Sequence, residues 1–161
     1  MKAAFCGSFD PVTIGHMDLI ERSSRLYEQV IVFISANPAK KDLFTAQRRA
    51  KWIAQACKDA GLDNVEVAVQ GGVSVEACKK AGCSVMIRGV RNETDMAYEA
   101  NLAYMNSQLD PTIETVYLFT RPAYAYISSS NVRELYALGR SLKGFVPECV
   151  ISDLQPDIHQ A

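Results

Sequence analysis

The 161 residues predict a doubly wound α/β fold on a five-stranded parallel sheet. Three observations carry this. Short apolar, β-prone runs alternate with helix-period segments along the whole chain. Turn and cap residues punctuate nearly every change from one to the other. No linker, internal repeat or low-complexity tract interrupts the order, so a single domain over residues 1–161 is expected, with right-handed crossovers between parallel strands.

Lys2 to Cys6 is the first strand; it breaks at Gly7, and after Pro11 the pattern turns helical from about Gly15 to Tyr27. Gln29 to Ala36 (QVIVFISA) is a near-continuous apolar run, as expected of a strand covered on both faces, and Asn37-Pro38 ends it. From Thr45, a plausible N-cap, Ala50, Ile53, Ala54 and Cys57 recur at helical spacing until Gly61. Asn64 to Val69 is the third strand, followed by a helix from about Ser74 to Ala81 closed by Gly82. Ser84 to Ile87 is the fourth. Tyr98, Leu102, Met105 and Leu109 then mark one face of a long helix that ends before Pro111. Glu114 to Thr120 is the fifth strand, the serines from Ser128 signal a further helix, and a last one follows Pro147.

Composition narrows the function classes. The chain is 48% apolar with a formal charge of −1, and its pI is near 6.1. That balance speaks against a general electrostatic footprint for nucleic acid or for an anionic membrane. No apolar stretch reaches the length of a membrane span and no secretory signal is visible, so a cytoplasmic location is expected. The five cysteines (Cys6, Cys57, Cys78, Cys83, Cys149) are an odd number scattered through apolar segments, which suits reduced buried thiols. Cys78 and Cys83 lack a second Cys or His pair nearby, so no protein metal site is expected.

In open α/β sheets ligands bind beyond the carboxyl ends of the strands. The segments there are GSFDPVTIGH, NPAKK, QGGVS, RGVR and RPAYAYISSS, which gather Lys40, Lys41, Arg88, Arg91 and Arg121 on one rim. A nearly neutral chain thus concentrates positive charge where a phosphorylated ligand would dock. Gly7 to His16 suits such a ligand, because glycine allows close backbone approach, Ser8 offers a hydroxyl, and Gly15-His16 opens a helix whose free N–H groups favour anions. Ile127-Ser128-Ser129-Ser130-Asn131-Val132-Arg133 places hydroxyls at a second helix start. Ile87-Arg88-Gly89-Val90-Arg91, followed by Asp95, Tyr98 and Glu99, offers forked guanidinium groups for a phosphate. No G-x-x-x-x-G-K-[ST] string and no G-x-G-x-x-G after the first strand is present, which excludes P-loop chemistry.

Thr13-Ile14-Gly15-His16, preceded by Gly7-Ser8-Phe9-Asp10-Pro11, resembles the T/H-x-G-H signature of the nucleotidyltransferase superfamily, and Ile127 to Arg133 resembles its second signature, I-S-S-[ST]-x-[VIL]-[RK]. The block from Ile87 to Glu99 and the segment Asn37-Pro38-Ala39-Lys40-Lys41 resemble the phosphopantetheine adenylyltransferase family within it. The resemblance runs from Ala3 to Val150. It implies a Rossmann-like nucleotidyltransferase fold, transfer of the adenylyl group of ATP to 4'-phosphopantetheine with Mg²⁺, and a homohexamer of two trimers. It also implies roles: His16, Lys40 and Arg88 in catalysis; Ser8, Lys40, Ser74 and Arg88 on the acceptor; and Ser8, Phe9, His16, Gly89, Val90, Arg91, Glu99 and Tyr124, Ala125, Tyr126, Ile127, Ser128, Ser129 and Ser130 around ATP. Ser8 stands where threonine is more usual, and Tyr124-Ala125-Tyr126 where a Trp-Ser-Phe-like triplet is common.

Two other readings compete. Relatives that transfer cytidylyl or adenylyl groups to other phosphorylated acceptors typically carry H-x-G-H, whereas Thr13 stands first here, and they lack the block at 87–99. A non-catalytic nucleotide-binding module of the same fold class needs a phosphate cradle but not the Lys40 and Arg88 pair facing it.

Overall fold

The strands are Lys2–Gly7 (β1), Gln29–Ser35 (β2), Val65–Gln70 (β3), Val85–Val90 (β4) and Glu114–Phe119 (β5) in a computed structural model whose described residues are 1–36 and 41–158, with side chains to residue 154. All pair in parallel, in the order β3-β2-β1-β4-β5. The five-stranded doubly wound sheet is therefore as expected. Growth of the sheet reverses between β1 and β4, and that reversal leaves a crevice at their carboxyl ends.

Strand alternation sorts the core into two faces. Ala3 and Phe5 of β1, Val30, Val32 and Ile34 of β2, and Val85 and Ile87 of β4 point one way, onto the helices Ile14–Leu26 (α1), Ala46–Asp59 (α2), Ser129–Ala137 (α5) and Glu148–Ile158 (α6). Ala4, Cys6, Ile31, Phe33 and Met86 point the other way, with Val75 and Cys78 of Ser74–Lys80 (α3). The first face is the larger, with Leu19, Ile20, Trp52, Ile53, Val132, Val150 and Leu154 all buried in it. Phe44 and Trp52 meet edge to face with ring centroids 4.9 Å apart. The edge strands β3 and β5 are only partly covered, which departs from the pattern of the three central ones.

The fourth strand is longer than its apolar run. It continues through Arg88, Gly89 and Val90, which pair with Tyr117, Leu118 and Phe119 of β5, so Arg88 sits on the sheet and not in the loop beyond it. Gly89 permits this: a Cβ there would lie 2.4 Å from Cδ1 of the buried Leu19 in α1. The helix predicted after it is Glu93–Leu109 (α4), but its apolar face is not in the core. No residue of α4 is buried, and Tyr98, Tyr104, Met105 and Leu109 are between 62% and 69% exposed. Among the described residues no helix is long and apolar enough to cross a membrane. All five cysteines are free.

Candidate active site

The signature spacing from Thr13 to His16 has a local cause. Thr13 is the N-cap of α1; its hydroxyl accepts from the His16 backbone N–H at 3.3 Å, and His16 Nδ1 accepts from the Thr13 N–H at 3.1 Å. This is a capping box with histidine in the place usually taken by Glu or Gln. Because Nδ1 is an acceptor, the neutral ring carries its proton on Nε2. Burial, helped by the positive charge of Arg91, pushes the His16 pKa down to about 4, so the imidazole is uncharged at pH 7. The site thereby receives a fixed, neutral N–H donor at the start of a helix.

The loop before it is held by packing. Phe9 adopts a left-handed backbone at φ 48°, a conformation rare for a bulky residue and retained only where surroundings enforce it. Its buried ring lies edge-on to Phe5 and to His16, with centroids 5.5 and 5.1 Å away. Gly7 makes room: a Cβ there would sit 2.9 Å from Phe9 Cζ. The Asp10-Pro11 peptide that follows is cis.

The two signatures are fastened to each other. Ser129 donates to the Pro11 carbonyl at 2.8 Å, and Arg133 Nη1 to the Asp10 carbonyl at 2.6 Å. Ser128 is the N-cap of α5 and accepts from Asn131 N–H, which leaves the helix start open toward the same crevice. Asp10 also binds forward: its carboxylate accepts from the backbone N–H groups of Leu43 and Phe44 at 2.7 and 2.9 Å. The segment after β2 is thus tied to the segment after β1.

Opposite this clamp stand two arginines, each already paired. Arg88 forks onto Glu99 at 2.6 and 2.8 Å and donates from Nη1 to the Cys6 carbonyl at 2.6 Å. Burial alone would lower the Arg88 pKa, but the Glu99 hydrogen bonds and charge outweigh it and raise the value. Arg91 pairs with Asp95 at 2.7 Å, which holds that carboxyl below its ordinary range. Arg121 is drawn away to Asp18 at 3.0 Å and lies outside the crevice lining. The rim is therefore less bare in charge than the sequence suggests. Arg133 is the cleft arginine that has no carboxylate partner among the described residues.

The crevice encloses about 400 Å³ at the β1/β4 reversal. Of the expected site residues, Ser8, Phe9, His16, Arg88, Gly89, Arg91, Glu99, Ile127, Ser128, Ser129 and Ser130 line it. Val90 is fully buried and is not among the lining residues. Tyr124, Ala125 and Tyr126 are also absent from the lining; Tyr124 packs beside Gly15, and exposed Tyr126 leans on Phe145. Ser74 receives a hydrogen bond from Gln70 at 3.4 Å and does not reach the lining. Lys40 lies outside the described residues. Sequence reasoning passed over Thr13, Asp10 and Arg133 as site residues, although each stood inside a quoted signature; the i, i+3 spacing of Thr13 and His16 was the available signal.

Among the described residues no group of three or more His, Cys, Asp or Glu is arranged around a metal position, and the cleft carboxylates Asp95 and Glu99 are engaged by arginines.

Comparison with known proteins agrees with this geometry. Residues 4–135 match the family described as cytidylyltransferase-like. The phosphopantetheine adenylyltransferase of Lactiplantibacillus plantarum is 43% identical over 154 residues, covering 96% of this chain and 93% of its own. That of Symbiobacterium thermophilum is 44% identical over 147 residues, covering 91% and 90%. A crystal structure from Vibrio parahaemolyticus, provisionally described as a nicotinate-nucleotide adenylyltransferase, superposes over 98% of this chain and 93% of its own with a TM-score of 0.76 at 16% identity, a likeness of fold alone. Near-complete coverage at more than 40% identity, with both signatures joined at one crevice, makes this chain a member of the phosphopantetheine adenylyltransferase family within the cytidylyltransferase-like nucleotidyltransferases.

Proposed function

We propose that the crevice transfers the adenylyl group of ATP to the phosphate of 4'-phosphopantetheine, giving dephospho-coenzyme A and pyrophosphate in coenzyme A biosynthesis. The observation that carries this reading is the fastening of the two signatures around neutral His16, together with family membership. The acceptor phosphate is already anionic at pH 7, so it can attack the α-phosphorus without a general base. The protein's contribution is position and charge.

In this reading Ser8 and the Nε2–H of His16 donate to oxygens of the α-phosphorus, where charge builds as five groups crowd around it. A neutral donor suits that position because nothing has to be deprotonated as the reaction proceeds. The α5 start at Ser128 to Ser130, with Arg133 and Arg91, holds the departing pyrophosphate. Arg88, oriented by Glu99, and Lys40 place the acceptor phosphate. Mg²⁺ enters with the nucleotide as Mg-ATP; the cleft carboxylates Glu99 and Asp95 are engaged by Arg88 and Arg91. Replacing His16 by alanine should lower kcat about 10²-fold with the fold intact, by analogy with loss of one transition-state donor. Near-normal turnover would remove His16 from the mechanism.

The same reading includes self-association. Besides Tyr98, which lines the crevice, Tyr104, Met105 and Leu109 stand exposed on α4, apolar surface of the kind that marks an interaction site, and family resemblance implies a hexamer of two trimers. Light scattering should return a mass near six times the 17.7 kDa chain; a monomer in dilute buffer would contradict it.

A further inference from the structure

Arg49 is 1% exposed, one of the largest fully buried side chains in the molecule, and it lies in the first turn of α2. A cation is poorly placed there twice over, since it is removed from water and set against the positive end of the helix dipole. Its Nε has no hydrogen-bond partner among the described residues. Its other donors converge on three segments: Nη1 on the Ser8 carbonyl after β1 and on the Ser35 carbonyl at the end of β2, the latter at 3.4 Å, and Nη2 on Asp42 Oδ2 at 2.6 Å. Arg49 does not line the crevice itself.

A buried ion pair is often no more stabilising than a well-packed apolar side chain of similar volume. Core stability therefore does not account for a guanidinium with an unsatisfied nitrogen. Its planar fork does one thing an apolar group cannot, which is to fix the spacing of two polar groups on different loops. One is the carbonyl of Ser8, a residue that lines the crevice. The other is Asp42, two positions after Lys40 in the segment that begins beyond β2. Asp10 ties the same two segments from the other side through Leu43 and Phe44 N–H, so the pair acts as two latches on one junction.

We propose that Arg49 is a positioning residue that sets Asp42 and its neighbours against the Ser8 loop, and so governs the rate of the transfer step more than the binding of either substrate. This rests on the function proposed above only for the acceptor's identity.

The test is steady-state kinetics of Arg49→Met and Arg49→Lys, varying each substrate in turn with Mg-ATP and 4'-phosphopantetheine, alongside thermal melting. Arg49→Met fills the volume and should melt close to the parent protein, yet lose about 10²-fold in kcat, the scale expected when reacting groups are misplaced by about 1 Å. KM for ATP and KM for the acceptor should each change less than about threefold, and Arg49→Lys should recover part of the loss. Asp42→Asn leaves the buried Arg49 cation without its carboxylate, so it should reproduce the kcat defect together with a lowered melting temperature, and combining it with Arg49→Met should add little further loss in kcat. Raised KM values with unchanged kcat, or a lowered melting temperature with unchanged kcat, would overturn the proposal. Should the parent protein turn over a different phosphorylated acceptor, the assigned substrate fails and the same comparison is read on that acceptor.

Discussion

His16 shows how one residue serves fold and chemistry together. The hydrogen bond that caps α1 also decides which ring nitrogen is protonated, and burial keeps the ring neutral. The T-x-G-H string made the position visible, but only coordinates give the tautomer, because it depends on a backbone N–H three residues upstream. His16 should titrate by NMR with a midpoint near 4; a midpoint at 6 or above would contradict the burial argument. The linkage has a definite sign. The folded pKa is about 4 against an ordinary 6.5, so the unfolded chain takes up a proton that the folded one refuses. Stability from this group should decline as pH falls from about 6.5 toward 4, and should not change with it above that range. Gly89 makes a second prediction at this scale. A methyl group there meets buried Leu19, so Gly89→Ala should cost about 1–3 kcal/mol in denaturant unfolding, and an unchanged midpoint would contradict the close approach. The left-handed backbone of Phe9, by contrast, left no trace in composition or spacing.

Element boundaries were legible where caps and apolar runs mark them. Thr45 and Ser128 are N-caps as their residue types suggested, and Gly61 and Gly82 follow their helices in the left-handed region. The end of β4 was not legible, because Arg88 and Gly89 are poor strand residues on propensity and are kept in the ladder by β5 and by the space beside Leu19. The same limit hid the fastening of α5 to the first loop. Nothing in ISSSNVR announces that Arg133 will reach the Asp10 carbonyl, because the two are 123 positions apart. That contact makes a prediction about the element as a whole. Arg133→Met should unfasten α5 from the first loop and remove a cleft cation that has no carboxylate partner among the described residues, raising KM for ATP about tenfold, in line with about 1.4 kcal/mol for one charge-assisted contact. An effect confined to the acceptor would contradict the placement of α5 on the nucleotide side.

At the scale of the whole molecule, the order of strands and helices was enough to infer a doubly wound sheet and a site at its carboxyl edge, since few other topologies accept five parallel strands with helical crossovers. What it could not supply was whether α4 packs onto the core. An apolar periodicity reads identically whether the face it builds meets the protein's own core or another surface, and here the face remains exposed. Met105→Glu should accordingly shift the scattering mass downward while leaving the circular dichroism of the chain unchanged; an unaltered mass would remove α4 from the assembly. The central claim is chemical and is tested most directly by pyrophosphate release. With Mg-ATP and 4'-phosphopantetheine the protein should release pyrophosphate and form dephospho-coenzyme A, and it should do neither with glycerol phosphate and CTP nor with nicotinamide mononucleotide and ATP. Activity only with one of the latter pairs, or with none of the three, would contradict the account.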